Sequence, residues 1–84
     1  MYSDLQEAHV VEICRKLKSI REERGLSQQR LSEMASLSRT GLRHIESGQI
    51  SPTLYSLLKI STALEVDLST LISESMQPNK RSSE

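Results

Sequence analysis

The sequence has no tryptophan and no phenylalanine, and Tyr2 and Tyr55 are its only aromatic residues. The interior must therefore be aliphatic, built from Leu, Ile, Val, Met and Ala. The single cysteine, Cys14, excludes an intrachain disulfide and fits a reducing compartment. No apolar run approaches the roughly 20 residues that cross a bilayer. Met1–Cys14 lacks the basic start and apolar block of a secretory signal. These absences predict a cytoplasmic protein that does not enter a membrane. Catalytic patterns are missing too: no nucleophile–base spacing and no glycine-rich phosphate loop occurs, so no enzyme is expected. His9 and Cys14 stand five apart with no ligand cluster beside them, against the four ligands that a metal site usually needs. The pair reads as a surface histidine and a small core thiol, and no metal or other cofactor is expected.

What is present is a short chain with an uneven charge distribution. Its 84 residues predict one domain that buries a modest fraction of its surface, with stability marginal or shared with a partner subunit. Net charge is zero, but residues 1–14 carry −3, residues 15–43 carry +5 and residues 44–84 carry −2. The basic middle third is either a face for a polyanion or an ordinary solvated helix surface.

Apolar spacing predicts an all-α fold of five helices. Val10, Ile13, Leu17 and Ile20 recur at intervals of three and four, which places a first helix over Leu5–Arg24, stopped by Gly25. Ser27 caps a second helix over Gln28–Ala35, with Leu31, Met34 and Ala35 facing inward. Ser38 caps a third over Arg39–Ser47, ended by Gly48. Ser51-Pro52 reads as cap and first residue of a fourth helix, with Leu54, Leu57, Leu58, Ser61 and Leu64 on its apolar stripe. This most apolar helix belongs at the centre. Asp67 caps a fifth over Leu68–Ser75, and Met76–Glu84 reads as a flexible polar tail.

The third helix divides into two sides. At about 100° per residue, with Arg39 at zero, Arg43 falls near 40°, Ser47 near 80°, Thr40 near 100° and His44 near 140°. Leu42 and Ile45 fall near 300° and 240°, and Glu46 borders them near 340°. A narrow apolar edge thus anchors a broad face bearing guanidinium, imidazole and hydroxyl groups. Those groups suit base edges in a DNA major groove, which admits one helix. An ordinary amphipathic surface helix accounts equally well for this helix taken alone.

The neighbouring residues decide between them. Gly25-Leu26-Ser27-Gln28, Leu31, Ile45-Glu46-Ser47-Gly48, Ser51-Pro52-Thr53-Leu54 and Leu57-Leu58-Lys59-Ile60 together resemble the Cro/CI-type, or xenobiotic-response-element, helix-turn-helix family over about Leu17–Ile72. The resemblance implies a compact λ-repressor-like domain over residues 13–75, with the helix-turn-helix at helices two and three. Residues 1–12 form an N-terminal helical extension. It also implies roles by position. Arg39, Thr40, Arg43 and His44 face bases; Gln28, Ser38, Ser47 and Gln49 meet phosphates; Arg21 and Glu46 form an internal ion pair. Double-stranded DNA bound by a homodimer is the expected partnership, with Leu68, Leu71, Ile72 and the extension at the dimer seam. The extension either lengthens the first helix over its own core or supplies that partner surface. With no room for a ligand-sensing domain, no small-molecule ligand is expected, and occupancy should follow the protein's own concentration. Small members of the family include restriction–modification controllers, phage repressors and antitoxins; length and helix pattern fit the controllers best. The alternative is an antitoxin-like module that masks a partner protein and binds DNA secondarily. Ser32, Ser36 and Glu65 depart from the family's usual small residues, and Ser36 must adopt a backbone that disfavours a side chain. Gly41 weakens the third helix by up to about 1 kcal/mol; close packing on the second helix is preferred over approach to phosphate as its reason.

Overall fold

The computed structural model describes residues 2–75, with side chains from residue 6 onward; the expected tail over 76–84 lies outside them. Five helices follow one another: α1 Tyr2–Glu23, α2 Gln28–Met34, α3 Arg39–Ser47, α4 Leu54–Leu64 and α5 Leu68–Ser75. No strand occurs among the described residues. α1 packs against α3, α4 and α5, and α2 against α3 and α4. The apolar stripes converge on Ile13, Cys14 and Leu17 of α1, Leu31 of α2, Leu42 and Ile45 of α3, Leu57, Ile60 and Leu64 of α4, and Leu68 and Leu71 of α5. Leu31, Leu42, Ile60 and Leu64 are fully buried, so α4 does lie at the centre.

Local chemistry sets the boundaries. Gly25 takes φ +69° after α1, and the Leu26 amide closes the turn on the Arg21 carbonyl at 3.1 Å. Ser27 caps α2 through the Arg30 amide at 2.9 Å. Asp67 heads α5, its carboxylate accepting from the Ser69 amide at 3.1 Å and the Ser69 hydroxyl at 2.8 Å. Those bonds hold the Asp67 carboxyl below its ordinary value. α4 starts later than its Ser-Pro signal suggests. Thr53 is the cap, accepting from the Ser56 amide at 3.0 Å, and Pro52 stays outside the helix.

Three inward assignments need correction. Met34 is exposed at the edge of α2, while Leu31, Ser32 and Ala35 fill that contact. Leu54 and Leu58 are also exposed, at 63% and 46%, although Leu57, Ile60, Ser61 and Leu64 of the same helix are buried. Leu58 lies about 100° round the helix from Leu57, so α4 carries a second apolar face that the described residues do not cover.

α1 continues without a break through the N-terminal extension. Val10 packs against the core, whereas Val11 is exposed beside Gly48. At Val10, then, the extension lengthens the helix over the subunit's own core.

Candidate nucleic-acid interface

α3 is short, so its ends carry much of its stability. The Ser38 hydroxyl accepts from the Gly41 amide at 2.9 Å. Gly48 closes the other end at φ +80°, in the left-handed region that favours glycine. Gly41 owes its place to the cap rather than to α2. A Cβ there would stand 2.9 Å from the Ser38 hydroxyl, and no atom of α2 comes within 4 Å of it.

Leu42 and Ile45 plug α3 into the core, and this fixes its rotation. Arg39, Thr40, Arg43 and Ser47 are exposed and His44 is half-buried. Among the described residues, no carboxylate or carbonyl engages Arg39 or Arg43. Several other cations are occupied: Arg15 by Glu12, Lys16 by Glu74 at 3.8 Å, Arg30 by Glu33 at 3.7 Å, and Arg24 by the Leu64 carbonyl. Among the described residues, the uncommitted guanidinium groups are therefore both on α3.

The helix is locked from behind. The Arg21 Nε donates to Glu46 Oε2 at 2.8 Å, and its Nη2 donates to Oε1 at 3.1 Å. Nη1 reaches the Leu26 carbonyl at 2.6 Å. One guanidinium thus ties α1, the turn before α2, and α3. The Glu46 side chain is only 4% exposed, and such a charge needs partners with good geometry. The expected ion pair is present, and it has a third member that sequence reasoning missed. Gln28 Nε2 donates to Glu46 Oε1 at 2.9 Å. An amide has two N–H groups, so Gln28 is oriented by Glu46 with one donor left over.

The same carboxylate acts on Cys14. Burial pushes that thiol up from 9.0 to about 11, and Glu46 pushes in the same direction.

The other predicted phosphate ligands cluster around α3. Ser38 uses its oxygen as an acceptor and keeps its O–H free to donate. The Ser47 hydroxyl instead donates to the His44 carbonyl at 3.2 Å. Gln49 is exposed in the loop after α3, its amide bound to the His44 carbonyl at 3.0 Å.

The predicted seam residues divide. Leu68 and Leu71 are buried in the subunit's own core, while Ile72 is half-buried. Ile72 borders an open groove with Leu54, Leu58 and Val66. Sequence reasoning missed this groove because the periodicity of α4 assigns all its leucines to one interior.

The turn between α2 and α3 holds Ser36 at φ +56°, the backbone expected to disfavour a side chain. Glu65 takes φ +60° at the end of α4.

No helix among the described residues is long and apolar enough to cross a membrane.

Comparison with known proteins agrees with this geometry. A helix-turn-helix family model matches residues 17–71. The HTH-type transcriptional regulator SutR of Escherichia coli (strain K12) is 46% identical over 57 residues, covering 68% of this chain and 32% of that protein. The immunity repressor protein of Bacillus phage phi105 is 39% identical over 59 residues, covering 70% of this chain and 41% of the phage protein. The chain thus spans less than half the length of these two relatives. The crystal structure of the restriction-modification controller protein C.AhdI from Aeromonas hydrophila superposes with a TM-score of 0.70 at 33% identity, covering 76% of this chain and 97% of the controller. These relatives are regulators and a repressor rather than enzymes. By sequence, by fold and by the two-helix unit that presents Arg39 and Arg43, the chain belongs to the Cro/CI-type helix-turn-helix family.

Proposed function

We propose that this protein is a sequence-specific transcriptional regulator that binds operator DNA as a homodimer in the cytoplasm. The observation that carries the reading is the outward flank of α3, where Arg39, Thr40 and Arg43 are exposed and the two guanidinium groups have no partner among the described residues. α3 enters the major groove, where an arginine can hold guanine O6 and N7 together. His44 reaches the edge of the same site. Gln28, Ser38, Ser47 and Gln49 meet the flanking phosphates and set the register without reading sequence.

Dimerisation places two copies of α3 about 34 Å apart, one DNA turn. The exposed apolar face of α4 with Val66 and Ile72 is the seam that fits, because Leu54, Leu58 and Ile72 offer apolar surface beside the helix-turn-helix. Match to the C.AhdI chain over nearly its full length favours a controller-like regulator.

The test is binding to DNA from immediately upstream of the protein's own gene, against unrelated DNA, across salt concentrations. A specific complex is tighter by about a thousandfold or more; equal affinity for both ends the proposal. Arg43→Ala is expected to relax base preference at one position of each half-site. Gln28→Ala is expected to weaken all sequences about equally.

A further inference from the structure

Lys59 lies on α4, outside the proposed DNA-reading site, and spans to the turn of the helix-turn-helix. Its Nζ donates to the Ser36 carbonyl at 3.1 Å. It also sits 4.6 Å from the centroid of the Tyr55 ring, one helical turn earlier. Tyr55 is otherwise exposed and contributes little to the core. Its ring face attracts the ammonium and holds the lysine over the groove between α2 and α4, which Met34, Ser36 and Ala63 also line. The carbonyl that Lys59 holds belongs to the left-handed residue at which the chain turns from α2 into α3. A backbone forced into that region costs about 1–2 kcal/mol and persists only where its surroundings fix it.

We infer that Lys59, backed by Tyr55, is a positioning residue that fixes the recognition helix relative to α4 through the Ser36 carbonyl. The inference rests on the DNA-binding homodimer proposed above. α4 carries the dimer seam, so the angle between α4 and the α2–α3 unit sets the separation of the two recognition helices. Lys59 touches no DNA in this arrangement. It decides how sharply the dimer distinguishes correct from incorrect half-site spacing.

The experiment begins with duplexes that the wild-type protein selects from a random pool. The half-site spacer is then changed by one and two base pairs in each direction, and a single half-site is kept as control. Lys59→Met is expected to bind the single half-site as the wild type does. Its preference for the best spacer over the next best should fall by up to about tenfold, the factor for losing one hydrogen bond of ordinary strength at an exposed position. Lys59→Arg should restore it, since a guanidinium can donate to the carbonyl and stack on Tyr55. General loss of stability would lower affinity for every spacer alike and leave the ratio unchanged. If Lys59→Met does not fold at the assay temperature, Tyr55→Leu decides by the same ratio, since it keeps the ammonium and removes the ring. A wild-type spacer profile in a folded variant overturns the inference while leaving the DNA reading intact. Failure of the wild-type protein to select any duplex overturns both.

Discussion

Replacing Arg21 by alanine should remove a large part of the domain's stability, although Arg21 contributes nothing to the apolar core. The wild-type guanidinium makes two bonds to Glu46, at 2.8 and 3.1 Å, and one to the Leu26 carbonyl at 2.6 Å. Without it, Glu46, whose side chain is 4% exposed in the intact domain, keeps only Gln28, at 2.9 Å. Breaking one side of a buried pair costs about 3–5 kcal/mol, because the remaining charge is stranded. Domains typically hold roughly 0.05–0.15 kcal/mol per residue, or about 4–13 kcal/mol for a chain of this size. Arg21→Ala therefore leaves a protein near the edge of folding. With about 4–8 °C per kcal/mol for a small domain, the melting temperature should fall by about 12–40 °C.

Circular-dichroism melts in heat and urea measure this directly, with three companions to separate causes. Arg30→Ala breaks an exposed pair at 3.7 Å and should cost less than about 1 kcal/mol. Glu46→Gln leaves Arg21 with the Leu26 carbonyl and the largely exposed Glu22 at 3.8 Å, so it should cost less than Arg21→Ala. The double variant Arg21→Met, Glu46→Leu strands no charge and should recover most of the stability lost in the single variant. The reasoning is refuted if Arg21→Ala costs no more than Arg30→Ala. It is also refuted if the double variant is no more stable than Arg21→Ala, since removing both charges would then have relieved nothing.

The remaining predictions concern backbone strain, the thiol and the seam. Glu65→Gly and Ser36→Gly relieve left-handed backbones at φ +60° and +56°, and each should raise stability by up to about 1 kcal/mol in urea melts; a loss at both would show that the side chains contribute more than the strain costs. Cys14 has its folded-state value raised to about 11 from 9.0, so the unfolded thiol ionises first. Stability should be unaffected by this group below pH 9 and fall between pH 9 and 11, a decline that Cys14→Ala should lack, and at neutral pH thiol reagents should modify Cys14 only as fast as the domain opens. Leu58→Glu should leave the melting of the subunit within about 1 kcal/mol of wild type, as expected at an exposed position, yet turn a dimer into a monomer in sedimentation equilibrium; a persistent dimer would move the seam away from α4.

The sequence made the helices legible because each carries its own stop or start chemistry. Gly25 and Gly48 end helices at positive φ, and Ser27, Ser38 and Asp67 begin them with a side-chain acceptor. Such signals are local, so one sequence suffices to read them. The fourth helix shows the limit: Ser51-Pro52 and Thr53 are both good openings, and only the fold selects Thr53. The ion pair between Arg21 and Glu46 was readable by a different route: the family resemblance implies the pair, and the place of Glu46 at the border of the apolar stripe agrees with it. Its extension to Gln28, like the reach of Lys59 to Ser36, joins residues distant in the chain through hydrogen bonds that leave no periodic trace. The division of the expected seam residues has a third cause. Hydrophobic spacing records that a leucine avoids water, not which subunit provides the shelter. Leu68 and Leu71 avoid it inside their own chain, whereas Leu54 and Leu58 do not. The distinction arises only when five helices compete for one small aliphatic core. With no Phe or Trp to enlarge that core, α4 has more apolar surface than the described residues cover, and a second copy is the cover that the proposed function requires.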